Sequence, residues 1–267
     1  MKTTDRLFSS LLACFLAGVT IHTAVAETSI TAAFSSFADG NGSSFHTNGD
    51  ATVGGDAIRL TQAKNWLSGS AFHMMQKALP VDGSFSAYFT FKMSNPSCVT
   101  GGGADGIAFL VRSDPMSSGE QGHGIGYAGT ASSVAVEFDT FTNEGHADPE
   151  YHHVGINLHG NAKSAAVGKS PFVLNNGSTY HAWIDFDGKK KVLDVRLGDS
   201  SARPSAALIS HSLDVTAITG TDVYVGFSGA TGNCNEQHEI KSLYFNNDLI
   251  DGGIDTSLDT YVMKPAN

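Results

Sequence analysis

The sequence is short of positive charge, cysteine and proline. Lysine and arginine total 16 against 26 acidic residues, for a formal net charge of −10, and basic residues run together only at Lys189, Lys190 and Lys191. A surface that neutralises phosphates needs clustered cations, so nucleic acid is excluded as a partner. Three cysteines in 267 residues are too few for a scaffold built on disulfides. Seven prolines form no Pro-rich linker between separate domains, and no repeat of fixed period is present. After residue 27 there is no convincing amphipathic helix, and no run of the ~20 apolar residues that crosses a bilayer. What is there is 41% hydrophobic with 30 glycines. That is ample core for one mid-sized globular domain and too apolar for a disordered chain.

Residues 1–26 read as an address. Lys2 and Arg6 precede an apolar stretch from Leu7 to Ile21, and Ala24-Val25-Ala26 forms an A-x-A cleavage site. The pattern predicts a signal peptide and an exported chain, secreted or periplasmic. Leu11-Leu12-Ala13-Cys14 offers the rival reading of a bacterial lipobox. Cleavage after Ala26 leaves two cysteines, Cys98 and Cys234.

Beyond the leader the apolar period is two. Tyr180, Ala182, Ile184 and Phe186 alternate with His181, Trp183 and Asp185, and Val223, Val225 and Phe227 alternate with Tyr224 and Gly226. Asp187-Gly188 predicts a hairpin with a primed turn, with Val192–Leu197 as the returning strand. Short strands recur from Ile30 to Phe245 between Gly, Ser, Asn and Asp clusters, which predicts an all-β fold, an antiparallel β-sandwich of two sheets. The stretch 249–267, with Gly252 and Gly253 and few apolar residues, predicts a loose C-terminal extension after a domain ending at 248.

The most informative stretch runs from Val134 to Ile156. Val134, Val136 and Phe138 fall on one face of a strand, Glu137 and Asp139 on the other. Two carboxylates side by side repel, and no Lys or Arg lies in the segment, so a cation, a proton or strong donors must stand between them. Asn143 and Asp148 follow in a loop, then His152 and His153 at the head of the next strand. Oxygens from Asp139, Asn143 and Asp148 suit calcium, and carboxylates with one imidazole suit a first-row ion such as manganese.

Glu137, Asp139, Phe141, Asn143, Asp148-Pro149 and His153 closely resemble the metal loop of the legume-type (L-type) lectin domain of the concanavalin-like family. The resemblance implies a lectin-type jelly roll over 27–248. It implies that Asp139, the Phe141 carbonyl, Asn143 and Asp148 bind calcium, that Glu137, Asp139, Asp148 and His153 bind manganese, and that His152 is a solvent-exposed neighbour. Ala104-Asp105-Gly106-Ile107-Ala108-Phe109 is similar to a second family segment, in which the Ala-Asp peptide is cis and the aspartate accepts sugar hydroxyls. The G-x-G-x-x-G at Gly101, Gly103 and Gly106 is not a dinucleotide fingerprint, because an apolar strand and not a helix follows. Gly122 to Tyr127 resembles the loop that donates a backbone N–H to the sugar, here from Gly124, and Val225 to Asn233 resembles the late strand and loop that put Asn233 on it. The Phe141 ring is then either the apolar wall of the pocket or part of the core. The same fold would bring Cys98 and Cys234 together as a disulfide. The implied partners are glycans or glycoconjugates; self-association through a sheet edge stays open.

Two other readings compete. Some retaining glucanases resemble this sandwich and carry E-x-D-x-x-E on one strand, but Thr142 stands where the second Glu belongs, which breaks the pair a retaining hydrolase needs. No H-E-x-x-H or G-x-S-x-G supplies another route, so the sequence predicts no enzyme. In the other reading the metals staple a structural or adhesive module that binds no sugar.

Overall fold

The computed structural model describes residues 28–30, 32–38, 40–99, 102–146, 148–149, 152–256 and 261–263; the expected signal peptide, its cleavage site and Gly101 lie outside them. The period-two segments form two stacked sheets. In spatial order the front sheet runs Ala166–Lys169, His153–Leu158, Ser133–Asp139, Gly106–Arg112, Asp222–Ala230, Ser68–His73 and Phe45–Gly49, with Lys77–Ala78 beside Asp222–Ala230. The back sheet runs Ile209–Ser212, Val192–Gly198, Thr179–Asp187, Phe85–Ser97, Asn235–Asn246, Ala57–Thr61 and Thr52–Gly54, with Ala32–Phe34 beside Asn235–Asn246. Neighbours pair antiparallel, as the sandwich requires. The helix Val215–Thr219 and three single 3-10 turns are the helical elements of the described residues, none of them long and apolar enough to cross a membrane.

The inward faces are those the alternation predicts. Val134, Val136 and Phe138, the set Tyr180, Ala182, Ile184 and Phe186, and Val223, Val225 and Phe227 all lie in the core between the sheets. At its centre Phe89 meets Phe227 edge-on at 5.0 Å and Phe91 meets Phe138 at 4.9 Å, offset geometries that favour the ring quadrupoles. On the other face of the front sheet Ala108, Leu110 and Ala135 pack with Phe72, Ile125 and Tyr127 into a second, smaller core. That contact folds the loop around Gly122 back over the sheet, toward the end where Asp139 emerges.

Two expectations need correction. The strand Val192–Gly198 returns as expected, but Asp187 pairs with Val192, so Gly188 to Lys191 all lie in the connection and no two-residue primed turn forms. Asp187 Oδ1 accepts the Lys190 N–H at 3.0 Å and Lys191, not Gly188, takes the positive φ of 54°. The tail is not loose over 249–256. Ile254 is buried against Tyr88 and Trp183 on the outer face of the back sheet, and the Trp183 indole N–H donates to the Ile254 carbonyl at 3.1 Å. Ile254, with Ile250 beside it, covers an aromatic patch of the sheet at Tyr88 and Trp183, which a count of apolar residues does not reveal. Farther along, Tyr261–Met263 pairs in parallel with Thr28–Ile30.

Candidate functional site

The strand Ser133–Asp139 delivers Glu137 and Asp139 to the face away from the main core, and the antiparallel strand His153–Leu158 brings His153 opposite Asp139. His153 Nε2 then stands 3.9 Å from Glu137 Oε1, 3.9 Å from Asp139 Oδ2 and 3.7 Å from Asp148 Oδ1. These spacings exceed hydrogen-bond length. They match the ~3 to 4.2 Å between ligand atoms around an octahedral ion with bonds of about 2.1 Å. Ligand atoms of Glu137, Asp139 and His153 all lie within 4.8 Å of one another, and all three residues are buried. Gly155, paired with Glu137, leaves the room: a Cβ there would come within 2.3 Å of Glu137 Oε1.

Electrostatics favour a cation at the same place. Burial pushes the Glu137 carboxyl up to about 7, although hydrogen bonds from Ser164 Oγ at 2.6 Å and Tyr127 Oη at 2.5 Å pull the other way. Burial, then the charge of Glu137, raises Asp139 well above the usual carboxylate range. A divalent cation among these groups would reverse that penalty, and the mix of carboxylates with one imidazole is the chemistry a first-row ion takes. The residues therefore fit a metal.

The loop after Asp139 is tied by its own acids. Asp139 Oδ1 accepts the Phe141 N–H at 2.6 Å, and Asp148 Oδ2 accepts the Asn143 N–H at 2.7 Å. Phe141, Asn143 and Asp148 are half-buried, and the Phe141 ring is outside the core between the sheets. His152 is half-buried too and so is not solvent-exposed, because its backbone sits at φ 59° and its carbonyl accepts the Ser170 N–H, folding it under the neighbouring loop.

Beside this cluster lies Asp105, 4% exposed, with a cis Ala104–Asp105 peptide. Its main chain is fixed on both sides: the N–H donates to Ala230 O at 3.0 Å and the carbonyl accepts the Thr140 N–H at 2.9 Å. Its Oδ2 has no hydrogen-bond partner among the described residues. Burial, with the charge of Glu236 added, pushes this carboxyl up to about 7. Gly232 forms the opposite wall, where a Cβ would stand 3.3 Å from Asp105 Oδ2 and 3.4 Å from the Gly122 Cα. The space in front of Asp105 thus depends on two glycines, Gly122 and Gly232.

The sequence-predicted residues do not all face this space in the same way. Asn233 follows Gly232 and is exposed at the rim, its carbonyl accepting Asn65 Nδ2 at 3.0 Å. Gly124 is buried and its N–H donates to Gln121 O at 3.2 Å, while the adjacent His123 is exposed and stacks on His146 of the loop after Asp139 with ring centroids 4.4 Å apart. Cys98 and Cys234 are disulfide-bonded with a Cα separation of 4.5 Å, joining the segment before Asp105 to the loop after Gly232.

Sequence reasoning gave Glu236 no role in the site. Fully buried behind Asp105, it accepts Thr140 Oγ1 at 2.6 Å and Asn175 Nδ2 at 2.7 Å and lies 3.0 Å from His238 Nε2. The signal available in the sequence was the charged Glu-x-His on a strand whose other face is apolar. Its partners, 61 to 96 residues away in sequence, carried no mark of their role.

The model of the legume lectin domain matches residues 29–259. The chain belongs to the legume lectin family. Against the lectin DB58 of Vigna unguiculata subsp. cylindrica this legume lectin is 33% identical over 244 residues, 84% of this chain and 86% of that one. Against the L-type lectin-domain containing receptor kinase VIII.1 of Arabidopsis thaliana it is 30% identical over 250 residues, which is 88% of this chain and only 33% of the kinase. The chain spans about a quarter to a third of the length of the receptor kinases it matches. Among solved structures, the metal-free form of lectin I-B4 from Griffonia simplicifolia superposes with a TM-score of 0.71 at 28% identity, covering 83% of this chain and all of that one. The basic winged bean lectin solved with Tn-antigen gives 0.70 at 28% identity over 80% and 96%. The family match ends at 259, beyond the boundary expected at 248, in keeping with the docked tail.

Proposed function

We propose that this legume lectin binds glycans reversibly, without chemistry, at a pocket organised by calcium and manganese. The observation that carries the reading is the buried Asp105 carboxylate, whose Oδ2 is unpartnered beside Gly232 and a metal-type cluster. A buried acceptor left open is costly unless a ligand donates to it, and vicinal sugar hydroxyls are such donors.

In this reading Glu137, Asp139, Asp148 and His153 hold manganese, and Asp139, the Phe141 carbonyl, Asn143 and Asp148 hold calcium. The ions supply fixed positive charge; they neutralise the carboxylates and set Asn143 toward the sugar. Asp105 accepts sugar hydroxyls, Asn143 and Asn233 add polar contacts, and the half-buried Phe141 ring offers an apolar face. Gly124 is the backbone donor of this reading, and its N–H would have to exchange its bond to Gln121 O for one to the sugar. Export through cleavage after Ala26 belongs to the same reading.

Relatives are reported with galactose, N-acetylgalactosamine and methyl-α-D-galactose, so galactosides are the first sugars to try. The test is Asp105→Asn. Loss of sugar binding with calcium and manganese content and melting temperature unchanged supports the lectin. Equal binding by variant and parent removes Asp105 from the site and favours a metal-stapled adhesive module.

A further inference from the structure

The chain has two tryptophans, and they differ in kind. Trp183 is 1% exposed beneath the tail, whereas Trp66 is 54% exposed on the rim of the Asp105 pocket. Single exposed apolar residues are common and by themselves mean little. Trp66 is set apart by how it is held. Its φ of 60° is in the left-handed region that bulky side chains avoid, and such a conformation persists only where neighbours fix it.

The neighbours are the two pocket walls. The Trp66 N–H donates to Gly232 O at 3.2 Å, and Gln121 Nε2 donates to the Trp66 carbonyl at 2.5 Å. Gly232 is the wall opposite Asp105, and Gln121 directly precedes Gly122. The flanking chain is bound to the same loop: the Leu67 N–H donates to Thr231 Oγ1 at 3.0 Å and the Thr231 N–H returns to Leu67 O at 2.9 Å. Four hydrogen bonds therefore fix the backbone that carries the indole at the mouth of the pocket. Among the described residues no ring stacks on it and no acceptor takes its N–H.

We propose that Trp66 is a second sugar subsite, taking the next pyranose of an oligosaccharide whose first residue is held at Asp105. The proposal rests on the lectin reading above. A pyranose presents an apolar C–H face and a hydroxyl edge. Stacked on the indole, the C–H face removes both apolar surfaces from water, and the indole N–H can donate to a hydroxyl. Because the backbone under Trp66 is fixed before the ligand arrives, no chain segment has to be ordered for binding.

The parent and the variants Trp66→Ala and Trp66→Phe are run on one array of galactosides and mannosides, each as mono-, di- and trisaccharide, with calcium and manganese present. The parent should bind some extended glycans better than their terminal monosaccharide. Trp66→Ala should lose about tenfold on those glycans, keep the monosaccharide signal and recover partly as Trp66→Phe. The emission of Trp66, separable from buried Trp183 by iodide quenching, should be shielded by the extended glycan and not by the monosaccharide. Equal extended-glycan binding by Trp66→Ala and parent overturns the subsite and leaves the lectin reading intact. A parent silent across the array overturns both.

Discussion

His153 Nε2 stands 3.7 Å from Asp148 Oδ1, a contact made across the loop that separates the strands Ser133–Asp139 and His153–Leu158. The same nitrogen faces Glu137 and Asp139 at 3.9 Å, so three acids share one imidazole. Without a cation, burial pushes the Glu137 and Asp105 carboxyls up to about 7, well above the ordinary carboxylate range near 4. The native state then holds more protons than the unfolded chain between about pH 4 and 7, and stability falls as pH rises through that window. With metal bound the carboxylates are ionised and protons compete with the ion, so the dependence reverses. Melting curves from pH 5 to 8 should show the metal-free protein losing stability as pH rises and the metal-induced gain growing. Parallel curves with and without metal would remove the cluster as a metal site.

Reduction should loosen the pocket first. The Cys98–Cys234 bond closes a span of 136 residues. On the chain-entropy model such a link contributes about 4 to 5 kcal/mol. Cys98→Ser with Cys234→Ser should lower unfolding free energy by up to that amount, read by urea denaturation. A change below about 1 kcal/mol would mean that the denatured chain is already constrained.

Glu236 is predicted to hold the site from behind. Thr140→Val removes the 2.6 Å hydrogen bond to Glu236 Oε1 and leaves a buried carboxylate short of a donor. The expected cost is about 1 to 3 kcal/mol in chemical denaturation. Because the Thr140 N–H also bonds the Asp105 carbonyl, amide exchange should rise at both residues. Unchanged stability and exchange would make the Glu236 network incidental.

The docked tail makes a separate prediction. Ile254→Ala should cost about 2 to 4 kcal/mol, as a buried isoleucine does. Removing 249–267 should uncover Trp183 and shift its emission to the red. Emission indistinguishable from the full chain would show that the sheet face is covered without the tail.

How much of this was legible in the sequence follows from range. The strand alternation gave the inward faces of Val134 to Phe138 and of Tyr180 to Phe186, because period two is a local property. The buried acid and histidine cluster was legible for the same reason: Glu137, Asp139, Asp148 and His153 lie in one short segment whose unpaired charge is visible as letters. Asp105, with its cis peptide, and the cysteine pair entered through family resemblance. What local patterns could not carry were the long-range contacts: Glu236 with Asn175, Trp183 with Ile254, and Trp66 with Gly232. Each joins residues whose own neighbourhoods look ordinary. The turn at Gly188 failed differently, since Asp187 accepting from Lys190 outweighed the glycine preference at the expected position.

The central claim is tested most directly on a broad glycan array probed with residues 27–267, once with calcium and manganese and once after chelation. The account predicts binding to a defined group of glycans that chelation abolishes and added metal restores. Silence across the array with both metals bound, or binding indifferent to chelation, would contradict it.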